Sequence, residues 1–193
     1  MRSARIFAAM RMVAAAAITL GLAAGLTHAQ EKKPIRIGFS IAQTGPLSGA
    51  GKSGLLALQI WRDDVNARGG LLGRPVQLVV YDDQSNASTV PGIYSKLLDV
   101  DKVELLIGPY SSNLTAPVMP IIKQRDLMLI GNFALDANAR LRHDKYFGTL
   151  PSASADQWAA PFFDLAKQLQ GSKIAVLAAD AEFAQTLAGG ARN

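Results

Sequence analysis

Six consecutive residues, Gly108-Pro109-Tyr110-Ser111-Ser112-Asn113, hold the most chemistry in this chain. They follow an apolar run from Val103 to Ile107 and precede a stretch of helical character. At the start of a helix the backbone N–H groups have no partners inside the helix, and the peptide dipoles leave that end positive. Two hydroxyls in the same turn, Ser111 and Ser112, donate as well. That combination fits an anion, most simply a carboxylate. In the alternative, Ser111 or Ser112 only caps the helix. The residues themselves leave both readings open.

Other candidate chemistry is thinner. Gly51-Lys52-Ser53 lies between a strand and a helix, as the end of a phosphate-binding loop does. The motif G-x-x-x-x-G-K-[ST] needs glycine at 46, where Pro46 stands, and Gly45 is one residue too far away. A nucleotide hydrolase is therefore set aside. His143 sits in the polar stretch Arg140-Leu141-Arg142-His143-Asp144-Lys145 and reads as a solvated loop residue, not a base. The chain has no Cys, and nothing in it has the spacing of a metal cluster. Asp63-Asp64 and Asp82-Asp83 read as a helix surface and a turn. Asn86-Ala87-Ser88 and Asn113-Leu114-Thr115 fit glycosylation sequons, to which no weight is given. The expectation is a protein without catalysis, metal or cofactor.

The elements that must position the serine turn alternate between strand and helix. Strands are expected over 35–41, 75–81, 103–107, 127–130 and 146–150. Helices are expected over 52–67, 88–100 and 113–124, with Gly69-Gly70 stopping the first and Pro91 tolerated in the first turn of the second. Strands separated by helices of this length imply parallel βαβ units, hence an α/β fold with a doubly wound parallel sheet. Open sheets of that kind bind ligands beyond the carboxyl ends of their strands, which selects the loops at 42–53, 82–87, 109–113 and 131–136. After Pro151 the pattern restarts with a helix over 153–170, a buried strand over 172–178 and a helix opening near Glu182. These elements read as the incomplete start of a second, similar lobe. The alternative is that they extend the first sheet.

The first 29 residues read as an address. Arg2, Arg5 and Arg11 precede an apolar run from Val13 to Leu26, and Thr27-His28-Ala29 offers a cleavage site, the order of a secretory signal peptide. The run is short for a membrane span, which takes about 20 apolar residues, so an uncleaved anchor is the weaker alternative. No Cys follows it to carry a lipid. The net charge of +5 falls to +2 once the three leader arginines are removed, leaving 17 basic residues (20 less these three) against 15 acidic ones. That balance offers no basic stripe for nucleic acid. The expected organisation is a signal peptide over 1–29, a ligand-binding lobe over 30–151 and the opening of a second lobe over 152–193, in a periplasmic protein.

Three motifs in order, Gly69-Gly70-Leu71-Leu72-Gly73-Arg74-Pro75, Tyr81-Asp82-Asp83-Gln84-Ser85-Asn86 and Ile107-Gly108-Pro109, resemble the branched-chain amino-acid-binding proteins of ABC importers. These are type I periplasmic binding proteins of the leucine/isoleucine/valine class. The resemblance covers essentially all of 34–193 and the first half of the family's usual chain. It implies two Rossmann-like lobes that close by a hinge, here near Pro151, on a ligand in the cleft.

Carried over residue by residue, the resemblance implies that Ser112, beside Ser111, meets the ligand carboxylate. The backbone carbonyl of Phe133 would meet the ammonium. A Thr hydroxyl of the family is replaced by Leu135, a covering aromatic after the first strand by Ala50, and an aromatic of the second lobe is matched by Phe183. Losing the hydroxyl weakens ammonium recognition, and Ala50 enlarges the pocket. A ligand other than a simple branched-chain amino acid is therefore expected, with aromatic acids, amides or urea as classes and a carboxylate retained. The implied partners are that small molecule and an ABC permease in the inner membrane, with a monomer as the complete protein. A ligand-sensing extracytoplasmic receptor domain of the same fold is the alternative. One lobe offers one wall, so weak binding or none is expected of the 193 residues themselves.

Overall fold

The computed structural model describes residues 32–134, 138, 141–148, 155–169 and 173–192, with the backbone alone at Glu182. Expectations that fall on the leader, on Leu135, Thr149, Leu150 and on Pro151 lie outside these residues.

Strand β1 (Ile35–Ile41) is followed by helix α1 (Ser48–Ala67), strand β2 (Val76–Asp82), helix α2 (Val90–Asp99) and strand β3 (Leu105–Tyr110). A broken helical stretch then leads to strand β4 (Leu129–Asn132) and strand β5 (Tyr146–Gly148). The five strands pair in parallel in the order β2-β1-β3-β4-β5. The sheet is wound outward in both directions from β1 and β3, so the doubly wound parallel sheet is observed as expected.

Both faces of the sheet are covered, which explains why its central strands are largely apolar, Arg36 and Ser40 in β1 excepted. On one face Ile35, Ile37 and Val76 pack with Val65 of α1. On the other, Val90, Tyr94 and Leu97 of α2 join Leu106, Leu114, Val118, Met119, Ile122 and Leu129. Alternation along β3 shares it between the two, with Leu106 in the second cluster and Leu105 and Ile107 against the first.

The first motif of the sequence is a helix stop followed by a tight reversal. Gly69 N–H donates to the Asn66 carbonyl and Gly70 N–H to that of Val65, the paired bonds of a Schellman cap. Leu71 and Arg74 then exchange both backbone hydrogen bonds around Leu72 and Gly73, whose φ values are +52° and +68°. Positive φ at both central residues is the type I′ hairpin, and Gly supplies it at least cost. Asn66 pins the outcome: its side chain donates to and accepts from the backbone of Val76, fixing where β2 begins. Arg74 closes the edge through a two-bond pair with Glu104, at 2.9 and 2.6 Å.

Three expectations need correction. The helix expected over 113–124 is broken into α3 (Ser112–Thr115), a 3-10 turn (Ala116–Val118) and α4 (Met119–Gln124). Pro117 and Pro120 lack the N–H groups an unbroken helix would use, and each opens a new turn. Strand β3 does not stop at Ile107 but continues through Gly108-Pro109 to Tyr110. The buried strand expected over 172–178 is absent: residues 173–179 have no regular structure, and Leu177 is fully exposed. A strand exists by pairing, and no described strand pairs with this segment. Beyond it lie a 3-10 turn (Ala155–Gln157), helix α5 (Ala160–Gln168) and helix α6 (Glu182–Arg192). None of the described helices is long and apolar enough to cross a membrane.

Candidate functional site

The site forms at the carboxyl ends of β1, β3 and β4, where the winding of the sheet reverses. Its centre is a bulge. Ile107 pairs with Ile130, but Tyr110 pairs with Asn132, so β3 spends one more residue than β4 over the same span. Pro109 has no N–H for the ladder, and a bulge is where a sheet tolerates it. Two side-chain hydroxyls hold the distorted backbone. Tyr94, fully buried on α2, donates to the Ile107 carbonyl at 2.5 Å. Thr115, also fully buried, lies within hydrogen-bond distance of the carbonyls of Pro109 (3.0 Å) and Ser111 (2.8 Å).

Ser111 stands at φ +84°, a conformation unusual for a residue with a side chain. Its N–H donates to the Asn132 carbonyl and its carbonyl accepts the Thr115 N–H, both at 3.1 Å. The Ser111 hydroxyl is buried and lacks a hydrogen-bond partner among the described residues. A buried hydroxyl left unsatisfied is costly, which makes it a group waiting for an acceptor. Ser112 is 1% exposed and opens α3. Four residues sum few peptide dipoles, so the helix end contributes less than the sequence suggests, and the polar groups offered here are hydroxyls and individual N–H groups.

Phe133 follows β4 with φ +52°, and its ring lies 5.8 Å from that of Tyr110. Tyr146 of β5 donates its hydroxyl to the Ala134 carbonyl, tying the end of β4 to the edge strand. Phe183 arrives from α6: its N–H donates to the Asn113 side chain at 3.1 Å, and its ring meets Trp158 edge-on at 5.4 Å. Ser111, Ser112, Phe133 and Phe183 are thus gathered through Asn132, Tyr110 and Asn113. Ala50 is exposed in the first turn of α1, which starts four residues earlier than expected. The early start follows from Gly51, whose absent side chain lets the helix abut the end of β1.

The second motif is structural. Asp82 accepts N–H bonds from Gln43 (2.9 Å), Thr44 (3.3 Å) and Gln84 (2.9 Å) and the Thr44 hydroxyl at 2.7 Å. Ser85 accepts the Leu47 N–H and donates to the Thr44 carbonyl. The turns after β1 and β2 are thereby latched. Asp83, fully buried, accepts from Ser40 Oγ and Ser85 N–H. The pair was read as a mere turn; the latch could have been suspected from Asp82 and Ser85 facing the Gly- and Pro-rich loop at 43–51.

The two carboxyls respond to pH in opposite senses. Burial pushes Asp82 up, but the bonds from Thr44, Gln84 and Gln43 outweigh it and hold it below its ordinary value. Burial pushes Asp83 up, against its bonds from Ser40 and Ser85, with the Asp82 charge adding to the rise. Asp82 therefore contributes stability above about pH 4, lost as pH falls through its folded value. Asp83 contributes below about pH 4, and that is lost as pH rises through its folded value. Asp82→Asn is expected to flatten the fall in urea midpoint between neutral pH and about pH 3, and Asp83→Asn to steepen it. Identical acid limbs in all three proteins would contradict this.

His143 is corrected. It is 5% exposed, not solvated. Its Nε2 lies 2.7 Å from the Leu127 carbonyl, which can only accept, so that nitrogen holds the proton. Asn138 bonds both its N–H and its carbonyl. It fastens the loop before β5 and takes no part in the site. Among the described residues no group of three or more His, Cys, Asp or Glu is placed to hold a metal. A cleft of about 480 Å³ lies elsewhere, lined by Trp158, Phe162, Val176, Leu177 and Leu187 among others. Its lining side chains are all apolar, so any polar group it offers comes from the backbone.

Residues 34–193 match the family model described as periplasmic binding protein. The chain belongs to that family. A Leu/Ile/Val-binding protein of Rhizobium johnstonii is 28% identical over 107 residues, covering 55% of this chain and 28% of the relative. A Leu/Ile/Val/Thr-binding protein of Salmonella typhimurium is 22% identical over 86% of this chain and 46% of its own length. This periplasmic binding protein therefore spans less than half the length of these curated relatives. The fold is that of a leucine-binding protein from Thermotoga maritima (TM-score 0.71, 18% identity, 81% of this chain and 44% of that one). It is equally that of an ABC-transporter solute-binding protein from Rhodopseudomonas palustris in complex with 3,4-dihydroxybenzoic acid (TM-score 0.70, 18% identity, 83% and 43%). These relatives are solute-binding proteins.

Proposed function

We propose that this chain supplies one wall of the ligand cleft in an exported solute-binding component of an ABC importer for amino acids or related small carboxylates. The observation that carries the reading is the bulged end of β3, which leaves the buried Ser111 hydroxyl without a partner beside Ser112. In this reading residues 1–29 are a signal peptide, 30–151 a ligand-binding lobe and 152–193 the opening of the second lobe. Ser111 and Ser112 receive the carboxylate, the Phe133 carbonyl faces the rest of the ligand, Ala50 leaves room after β1, and Phe183 approaches from the second lobe. The protein delivers its ligand to a membrane permease and catalyses nothing. Solved relatives with isoleucine and with 3,4-dihydroxybenzoic acid bound support a carboxylate of amino-acid or aromatic type.

The test is an NMR titration of the chain with isoleucine and with 3,4-dihydroxybenzoate, each paired with its neutral amide. Because a single wall binds weakly, the acids are expected to shift the amide signals of Ser111, Ser112 and Asn113 only at high ligand concentration, isoleucine less than 3,4-dihydroxybenzoate, and the amides are not. Ser112→Ala is expected to weaken the response roughly tenfold or more, the worth of a hydrogen bond to a charged group. Equal responses to acid and amide, or an unchanged Ser112→Ala protein, would sink the reading.

A further inference from the structure

Asp83 is a fully buried carboxyl, and among the described residues no cation pairs with it. The charge that acts on it, Asp82, has its own sign. Burying a carboxylate without a cation is costly. An uncharged amide would build the same turn at lower cost, so the charge calls for a second role.

Its bonds lead toward the serine bulge. Ser40 Oγ, fully buried on β1, donates to Asp83 at 2.9 Å. Thr89, just before α2, donates its hydroxyl to the Asp83 carbonyl at 3.1 Å. The two paths meet at Tyr94 of α2, whose hydroxyl is hydrogen-bonded by Ser40 and donates to the Ile107 carbonyl at 2.5 Å. The ladder between β1 and β3 pairs Ile37 with Leu105 and Gly38 with Leu106 and, among the described residues, goes no further. Ile107 is the next residue of β3. The Tyr94 hydroxyl thus joins the two strands where their own pairing stops, four residues before Ser111.

We propose that Asp83 is a positioning residue of the anion wall, acting through Ser40 and Tyr94 on the bulge that carries Ser111 and Ser112. The inference rests on the reading of that bulge as a ligand wall; the chain of bonds does not. A carboxylate only accepts, so Ser40 spends its proton on Asp83. Buried hydrogen bonds in series polarise one another, so a change of charge at Asp83 is felt at the Ile107 carbonyl. Two ionisable groups face Asp83: Asp82 from its own turn and Tyr94 from α2. Burial pushes the Tyr94 hydroxyl far up, opposed by its bonds with Ser40 and helped by the Asp83 charge, so it stays protonated. Asp82 lies below its ordinary value and Asp83 above, so the two carboxyls titrate apart.

The test is a pH titration of the chain followed by its amide signals. Gln84 N–H donates to Asp82 and Ser85 N–H to Asp83, so each amide reports one carboxyl. Ser111 and Ser112 are expected to shift in step with Ser85, above about pH 4, and not with Gln84. In Tyr94→Phe and in Ser40→Ala the Ser85 signal should still titrate while the shift at Ser111 and Ser112 is lost. Asp83→Asn should remove it from all three. Both link variants are also expected to respond to 3,4-dihydroxybenzoate about threefold more weakly than the parent, the worth of one hydrogen bond. Val65→Ala loosens the opposite face and touches none of these bonds, so it should behave as the parent in both measurements. Ser111 and Ser112 signals that ignore Ser85 would overturn the proposal. So would signals that follow Ser85 equally well in Tyr94→Phe, which would mean a field acting through space, or a loss of coupling in Val65→Ala, which would mean general loosening. Should Tyr94→Phe not fold, Ser40→Ala measures the same link. Equal responses of the parent to acid and amide would sink the ligand reading and leave the titration result standing.

Discussion

Gly51→Ala is expected to destabilise the chain by about 3 kcal/mol, the upper part of the range for overpacked sites. A Cβ on Gly51 would lie 1.9 Å from the Ala42 oxygen and 2.7 Å from its carbonyl carbon. Both neighbours are backbone, so no rotamer change relieves the contact, and the first turn of α1 must withdraw from the end of β1. The next turn would follow, because Gly54 lies close over Ile41. Gly49 is the control. It sits in the same turn with open space around it, and Gly49→Ala is expected to stabilise by up to about 1 kcal/mol through helix propensity alone. Urea titrations of the two variants decide the matter: equal midpoints would show that the approach of α1 to β1 is not tight.

The second large effect concerns the bulge of β3. Tyr94→Phe and Thr115→Val each keep the shape of the side chain and remove one hydroxyl. Each leaves a carbonyl of the bulge short of a donor, at an expected cost of about 1–3 kcal/mol. The two hydroxyls grip the same distorted segment on either side of Gly108, so their losses are expected not to add. Once one grip is gone the bulge relaxes, and the second hydroxyl has less to hold. The double variant should therefore be more stable than the two single losses predict, and its amide spectrum should change most at Ser111 and Ser112. Strictly additive losses with unchanged signals at those residues would mean the hydroxyls act as ordinary core groups.

Much of this was legible in the sequence, and the part that was not shares one cause. Strand β1 has the bounds expected, and Gly69-Gly70 stops α1 as expected, because Ile35 to Ile41 and the glycine pair carry strong local preferences. The errors came where tertiary contacts override local preference. Gly49 and Gly51 argue against helix, yet α1 begins at Ser48 because the end of β1 needs a neighbour without a side chain. Gly108-Pro109 argues for the end of a strand, yet β3 continues because Tyr94 of α2 and Thr115 of α3 satisfy the carbonyls of the bulge. His143 looked solvated because all its near neighbours in sequence but one are charged; the carbonyl it meets belongs to Leu127, 16 residues away. Ser111 and Ser112 were found from residue type and position. The groups that aim them, Thr115 and Asn132, were missed, although a threonine four residues after Ser111 is a legible signal for a bond back to its carbonyl.

The latch between the turns after β1 and β2 bears on how such a site changes over generations. It is made from Asp82, Ser85, the Thr44 hydroxyl and main-chain groups at 43, 44, 47 and 84, and residues 49 and 50 take no part in it. Substitutions at the exposed Ala50 can therefore accumulate while the frame that aims α1 stays intact. Single replacements at the rim leave this frame untouched, each folding as its parent did, whereas a change at Asp82 would disturb rim and frame together.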